Sequence, residues 1–436
     1  MKHKSTVLYI LILGLFCFVR AGAQESKALT LNEAIELGIK NSKQLKLSQA
    51  KIDEAVAATK QATEARLPDA SISGSYLRLT KPTIKLKTGS DSSSFSSPTV
   101  SQALYGSANV SLPIYAGSKI KYGIESAKYL EQATRLDAEQ DKEAVTLNII
   151  AAYINLYKAS VSAKVVEENL EQSRLRDSNF ASLERNGLLA RNDMLRAQLQ
   201  TSNFELALVD AQNSIQLATV NMNILLGLPE STKLVPDPAS ITTSGQLQTI
   251  EMYEQSADTG RNDMQALTYR NKAAGAAVKV AKGDYYPSIG LTGGYVAANV
   301  PKLLTITNAV TFGVGVKYDI GSLWKTKSKV QQAEARAQQL QINKDMMTDN
   351  IHLAINQAYQ TYLTDIKKIE VNNKAVIQAN ENYRISKNKY DNNLLLLTDL
   401  LDANVEQLQA SLNLEVSKAD AALDYYTLQQ TAGMLK

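Results

Sequence analysis

Two carboxylates three residues apart, Asp399 and Asp402, follow four consecutive leucines in NNLLLLTDLLDAN, residues 392–404. If the segment is helical, both acids lie on one helix face. Such a pair can exchange protons, attract cations or repel anions, but acid–base catalysis also needs a pocket with further polar groups around it. The rest of the chain offers little for that purpose. Cys17 is the only cysteine, and the histidines are His3 and His352. Once an N-terminal leader is removed, several-ligand His/Cys metal clusters, Cys/His nucleophilic pairs and disulfides are all excluded. GVGV at 313–316 sits in a strand pattern and lacks the turn into a helix that a phosphate loop needs. The expectation is a protein that is no enzyme and holds no cofactor or metal.

The leader itself is legible. Lys2 and Lys4 open the chain, Val7 to Val19 is nearly all apolar, and Ala21-Gly22-Ala23 supplies small residues for cleavage, so residues 1–23 read as a signal peptide. The apolar run is shorter than the roughly 20 residues of a permanent span. Lipidation at Cys17 is the weaker reading, because bulky Phe16 precedes it. Lys2, Lys4 and Arg20 leave with the leader, and a formal net charge of +4 becomes nearly neutral, so no nucleic-acid partner is implied. No later apolar run approaches spanning length; membrane insertion would have to use strands.

The elements that position the acids come as one pattern written twice. A shift of 206 aligns Lys119 with Lys325, Tyr153 with Tyr359, Asp193 with Asp399 and Ala197 with Ala403; upstream, a shift of 219 aligns Pro68 with Pro287 and Tyr76 with Tyr295. The difference is absorbed in TGSDSSSFSSPTV, residues 88–100. Each half reads as a helix, a β-hairpin and a pair of long helices. The first is 24–230, with hairpin 69–115 and helix pair 118–226; the second is 231–436, with hairpin 288–319 and helix pair 322–434. Val310, Phe312, Val314, Val316 and Tyr318 alternate with Thr311, Gly313, Gly315, Lys317 and Asp319, the period of a strand with one apolar face. A helix from about Lys325 to Lys389, roughly 95 Å long at 1.5 Å per residue, must pack side by side as coiled coil.

Strand pattern alone fits a soluble sandwich or a tilted transmembrane sheet equally. The export signal, the polar hairpin loops and Tyr76, Tyr105, Tyr115, Tyr295 and Tyr318 near strand ends favour the membrane. Four strands cannot close a barrel and open edges are not tolerated in lipid, so several chains must share one barrel: two give eight strands, three give twelve.

The opening LTLNEAIELGIKNSKQLK, the LLGLP at 225–229, the duplicated order of parts, and NGLLARNDMLRAQ with NNLLLLTDLLDAN together resemble the TolC family of outer membrane efflux proteins. The resemblance implies an α+β membrane protein: a homotrimer with four transmembrane β-strands per chain in a 12-stranded β-barrel, lying in outer membrane lipid, and long helices forming a periplasmic α-barrel. It implies the exit duct of a tripartite efflux or type I secretion system. Its partners would be a periplasmic adaptor (membrane fusion protein) and an inner-membrane RND, ABC or MFS transporter. The family's adaptor-docking tips match Gly187, Leu188 and Leu189, and Asn393, Leu394 and Leu395. Its periplasmic gate matches Asp399 and Asp402, which threefold symmetry would turn into a ring of carboxylates favouring cations. Tyr390 and Asp193 match a closed-state tie, whereas Leu395 stands where the family has an arginine. The rival expectation is a non-pore periplasmic coiled-coil adaptor or structural protein, which would have no use for duplicated amphipathic hairpins.

Overall fold

The protein is described by a computed structural model at residues 27–80, 100–241, 247–301 and 303–435. The leader, Cys17 and residues 88–99 of the Ser-rich segment lie outside the described residues. The elements run β1 (Lys27–Leu29), α1 (Leu31–Asn41), α2 (Lys43–Glu64), β2 (Asp69–Arg78), β3 (Gln102–Ala116), α3 (Lys119–Arg185), α4 (Arg191–Leu226) and β4 (Leu234–Pro236). They continue as α5 (Ile250–Gly260), α6 (Asn262–Lys282), β5 (Ser288–Val300), β6 (Leu304–Lys317), α7 (Ser322–Asp391) and α8 (Leu397–Thr431). Residues 48–138 with 262–348 form one compact unit, and 1–47, 139–261 and 349–436 form the other, so each unit draws on both halves of the sequence.

The first unit is built on an antiparallel sheet of order β2-β3-β5-β6. Its register sorts the side chains in the rows nearest the helices. Ile72, Ala108, Tyr295 and Val310 lie across from one another in a row, as do Ala70, Val110, Gly293 and Phe312, and Leu112, Leu291 and Val314. The opposite face carries the rows Ser71, Asn109, Gly294, Thr311 and Asp69, Ser111, Thr292, Gly313. There Ser73 and Ser107 hydroxyls are 2.8 Å apart, and Asn109 Nδ2 donates to Ser107 Oγ at 3.2 Å. The apolar face is uncovered in the single chain: Phe312 is 93% exposed. β2 and β6 each have one side unpaired among the described residues.

Below the sheet the helices are fastened by a short 3-10 turn, Gly283–Tyr285. Asp284 accepts from Lys119 Nζ and Lys329 Nζ, both at 2.9 Å, and these two ammonium groups hold its carboxyl below the usual range. Gly117, at φ 62°, lies against Gly283, where an added Cβ would come 2.6 Å from the Gly117 carbonyl oxygen. Only glycine fits that approach.

In the second unit, Thr30 opens α1 with a capping box: Glu33 N–H donates to Thr30 Oγ1 at 3.3 Å, and Thr30 N–H donates to Glu33 Oε2 at 3.1 Å. A core of Leu29, Ala34, Ile149, Ile150, Ile154, Met222, Leu226, Leu234 and Ala422 surrounds Tyr153. The Tyr153 hydroxyl donates to the Leu29 carbonyl at 2.8 Å and accepts from Asp237 N–H at 2.9 Å, which clips the parallel pair β1–β4 together.

Three features depart from the sequence expectation. The single first helix is two, broken at Ser42. The β1–β4 pair has only three residues per strand, too few to show a period. By length and composition, α3 contains a window apolar enough to cross a membrane, contrary to the reading that no later run approaches spanning length; this helix supplies Ile149, Ile150 and Ile154 to the core.

Between α7 and α8, Asp365 and Asp424 form a hydrogen-bonded carboxyl pair. Burial pushes Asp424 up, and the hydrogen bond and charge of Asp365 add to this, bringing it to about 7. Burial opposes ionisation of Asp365 as well, but hydrogen bonds from Asp424 and Lys368 hold it low. Between pH about 4 and about 7 the folded Asp424 keeps a proton that the unfolded chain releases, so its contribution to stability falls as pH rises through that window. Urea unfolding followed by helical circular dichroism should show this decline, and Asp424→Asn should flatten it.

Candidate functional site

The two helix-hairpin turns form by the same backbone device. Gly187 and Asn393 take left-handed φ values of 73° and 60°. After α3, Leu188 N–H donates to Leu183 O and Gly187 N–H to Glu184 O, both at 2.9 Å. After α7, Leu394 N–H donates to Lys389 O at 2.8 Å and Asn393 N–H to Tyr390 O at 2.9 Å. Both are Schellman endings, which need glycine or asparagine at the reversal. Gly227 and Gly433 end α4 and α8 in the same way.

The helices that leave these turns start badly. The N-cap of α4 is Ala190 and that of α8 is Leu396, and neither makes a side-chain capping bond. Ser, Thr, Asp or Asn is strongly preferred there. Leu396 is 71% exposed, beside Leu394 at 75%; Leu188 in the first turn is 74% exposed. An apolar residue where a capping side chain is wanted, held in solvent, is a local conflict of the kind expected at a functional surface. Leu189 and Leu395 are half-buried, and Leu189 packs inward on a cluster of Phe180, Ala197, Leu397, Leu400 and Leu401. The cluster brings the two turns together. Leu396 ends the run of leucines that resembles the family's second tip, and its place as an uncapped N-cap is what the structure adds.

Asp399 and Asp402 occupy the first turns of α8 and are exposed, while Leu400, Leu401, Ala403 and Asn404 between and beside them are buried. Both carboxylates therefore face away from the cluster. Asp193, in the first turn of α4, is half-buried and pairs with Arg196 at 3.8 Å. Tyr390 stacks at a tilt on Phe180, with ring centres 5.8 Å apart. Burial, then the charges of Asp193 and Asp391, push its hydroxyl above the ordinary tyrosine range. The structure thus sets Tyr390 in the field of Asp193.

One turn farther into the helices lies a polar layer that sequence reasoning missed. Arg176 Nη1 donates to Asn404 Oδ1 at 3.1 Å and Nη2 donates to Ser173 Oγ at 2.8 Å. Ser173 and Thr201 hydroxyls are 2.6 Å apart, and Asn404 Nδ2 donates to Asn169 Oδ1 at 3.3 Å. Burial pushes the Arg176 guanidinium down from its usual value. Beyond it Leu170, Phe204 and Leu408 form the next apolar layer. His352 is a helix-surface residue whose Nε2 lies 3.1 Å from Asp258 Oδ1. Among the described residues no group of three or more His, Cys, Asp or Glu could hold a metal ion.

The profile of the family described as "Outer membrane efflux protein" matches residues 34–228 and 254–434. The chain belongs to the outer membrane efflux protein family. It is an outer membrane factor of the TolC type, a channel family and not an enzyme family, and it is located in the outer membrane. Outer membrane efflux protein BepC of Brucella suis biovar 1 (strain 1330) is 26% identical over 258 residues, covering 56% of this chain and 54% of BepC. The match thus spans about half the length of that relative. Among solved structures, the outer-membrane channel OprN superposes with a TM-score of 0.78 at 18% identity, over 92% of this chain and 89% of OprN. VceC from Vibrio cholerae gives 0.75 at 19%, over 92% and 96%. The CmeC outer membrane channel of Campylobacter jejuni gives 0.76 at 17%, over 93% and 85%. At these identities the likeness speaks for the fold of the efflux channels.

The missing cap predicts a measurable trade. Leu396→Ser should raise the stability of the purified efflux protein by about 0.5–2 kcal/mol, as a gained N-cap does. Thermal unfolding of the variant beside wild type checks this.

Proposed function

We propose that this chain assembles as a homotrimer and serves as the exit duct of a tripartite efflux or type I secretion system. Three four-stranded sheets would close a 12-stranded barrel in the outer membrane, and the helices would line a passage on the periplasmic side. The two halves of the chain, 24–230 and 231–436, act in this reading as structural repeats. The observation that carries it is the sheet: over its helix-proximal rows one face is apolar and exposed and the other mainly polar, and both β2 and β6 have an open edge. In lipid the apolar face is satisfied at once, but each open edge leaves a row of backbone groups without partners unless another copy supplies a strand. A second surface also lacks a neighbour. Leu195, Leu199, Leu206, Val209, Leu217 and Ile224 are exposed along α4 at near-heptad spacing, the pattern of a seam for a further helix. A non-pore coiled-coil protein would leave the sheet without a role.

In the trimer Asp399 and Asp402 would ring the periplasmic entrance with six carboxylates, favouring cations. Tyr390 and Asp193 are assigned to the closed state of that entrance. With Leu395 in the place of the family arginine, the burial of Tyr390 against Phe180 supports its holding role more than any charged tie does. Gly187, Leu188, Leu189, Asn393, Leu394 and Leu395 are assigned to docking of a periplasmic adaptor, joined by Leu396. The adaptor would connect the duct to an inner-membrane RND, ABC or MFS transporter, and transport through the duct would be passive.

Purified protein in a planar bilayer should give cation-selective conductance, and Asp399→Asn with Asp402→Asn should reduce that selectivity while leaving the pore. Absence of conductance, or selectivity untouched by the double substitution, would sink the reading. The sheet is tested separately. Val310→Arg places a charge on the lipid face in the middle of the sheet and should cost about 2–4 kcal/mol near the bilayer midplane. The yield of heat-resistant oligomer from membranes should fall accordingly, while Thr311→Lys on the polar face should be tolerated.

A further inference from the structure

The sheet ends that join the helices are marked by exposed aromatic residues. Register sets Ala116, Ser288 and Lys317 side by side at that end. Around them Tyr115, Tyr286, Tyr318 and Trp324 are all exposed. Tyrosine and tryptophan gather where one end of the ring can be apolar and the other wet, at the level of lipid headgroups. In an outer membrane protein this end therefore lies at a membrane–water interface.

At the foot of β3, on this level, is a groove of about 400 Å³. Ile114, Tyr115 and Ile120 give it apolar walls, and Arg66 and Lys121 give it two cations from separate segments, the turn after α2 and the first turn of α3. Of the other basic residues nearby, Lys119 and Lys329 both bind Asp284. Among the described residues no acid lies within ion-pair range of Arg66 or Lys121, and the Lys121 ammonium sits 5.5 Å from the Tyr122 ring centre. Two uncommitted cations over an apolar floor suit a ligand with an anionic head and a hydrocarbon body. Arginine adds a planar fork matched to phosphate oxygens.

We propose that this groove binds an anionic glycerophospholipid, with Arg66 and Lys121 on its phosphate and the glycerol and upper acyl chain along Ile114 and Tyr115. Juxtamembrane cations are drawn to an anionic lipid surface, and a groove that converges two of them on one headgroup makes the attraction local. The inference rests on the outer-membrane location of the sheet and is independent of what the duct carries.

The test uses the full-length oligomer, purified and delipidated in detergent, then incubated with phosphatidylglycerol, phosphatidylcholine or inorganic phosphate and examined by native mass spectrometry. Wild type should retain about one phosphatidylglycerol per chain and bind phosphatidylcholine about tenfold less well, the ratio that 1.4 kcal/mol produces. Arg66→Gln with Lys121→Gln should lower phosphatidylglycerol retention to the phosphatidylcholine level. Arg66→Lys with Lys121→Arg, which keeps both charges, should retain it, and Lys325→Gln should have no effect. Heat resistance of the oligomer on gels verifies that each variant is assembled. Undiminished retention in the double glutamine variant would overturn the proposal. So would an equal loss in Lys325→Gln, or inorganic phosphate competing as well as the lipid does.

Discussion

Backbone hydrogen bonding sets the terms for this molecule. A four-stranded sheet with two open edges carries unpaired N–H and C=O groups along β2 and β6, and lipid offers them nothing. Because the sheet's apolar side belongs in lipid, the edges can be satisfied only by strands of other copies. On the proposed reading, the need for an oligomer arises from the sheet, and the helices inherit it. The exposed leucines of α4 offer a seam for a further helix. The tight glycine contact between Gly117 and Gly283, with Asp284 holding Lys119 and Lys329, then ties strand ends to helix starts without an added loop.

At the hairpin turns a second backbone constraint operates. Gly187 and Asn393 reverse the chain in left-handed conformations, and the residues directly after each reversal are apolar. Packing of Phe180, Leu189, Leu397 and Leu400 offsets the absent caps, so the turns can display Leu188, Leu394 and Leu396 to solvent on a rigid base. The alternation of apolar and polar layers behind them, with Arg176 and Asn404 between the Phe180 and Leu170 clusters, gives the helices a unique register: sliding by a turn would leave a guanidinium among leucines.

Much of this was legible from residue order, for identifiable reasons. The period of two in Val310 to Tyr318 encodes the sheet face directly, and Gly187 and Asn393 announce their turns because few residues tolerate positive φ. The acids Asp399 and Asp402 lie on an exposed helix face, as their spacing predicts, because three-residue separation on a helix leaves little freedom. The features that could not be read depend on distant partners. The β1–β4 pair has no period to detect, and nothing near Tyr153 in sequence tells that its hydroxyl will bridge Leu29 and Asp237. The half-burial of Leu189 beside exposed Leu188 is decided by Leu397 and Leu400, which lie more than two hundred residues away in the chain. The Arg176 layer is invisible for the same reason, since an arginine in a polar helix looks like any solvated one.

The polar side of the sheet has a further consequence. Past Asp69 and Lys317 at the helix end, it is surfaced by Ser71, Ser73, Asn109, Ser111, Thr292, Thr311 and glycines, with Tyr105, Val296 and Ala298 farther out and no charged side chain among them. Hydroxyls and bare backbone offer a passing solute many weak, interchangeable contacts and no deep well in which to stall. In the proposed duct a wall of this kind would behave as a lubricated sleeve: it would discriminate by girth rather than by affinity, and leave traffic limited by friction instead of by release.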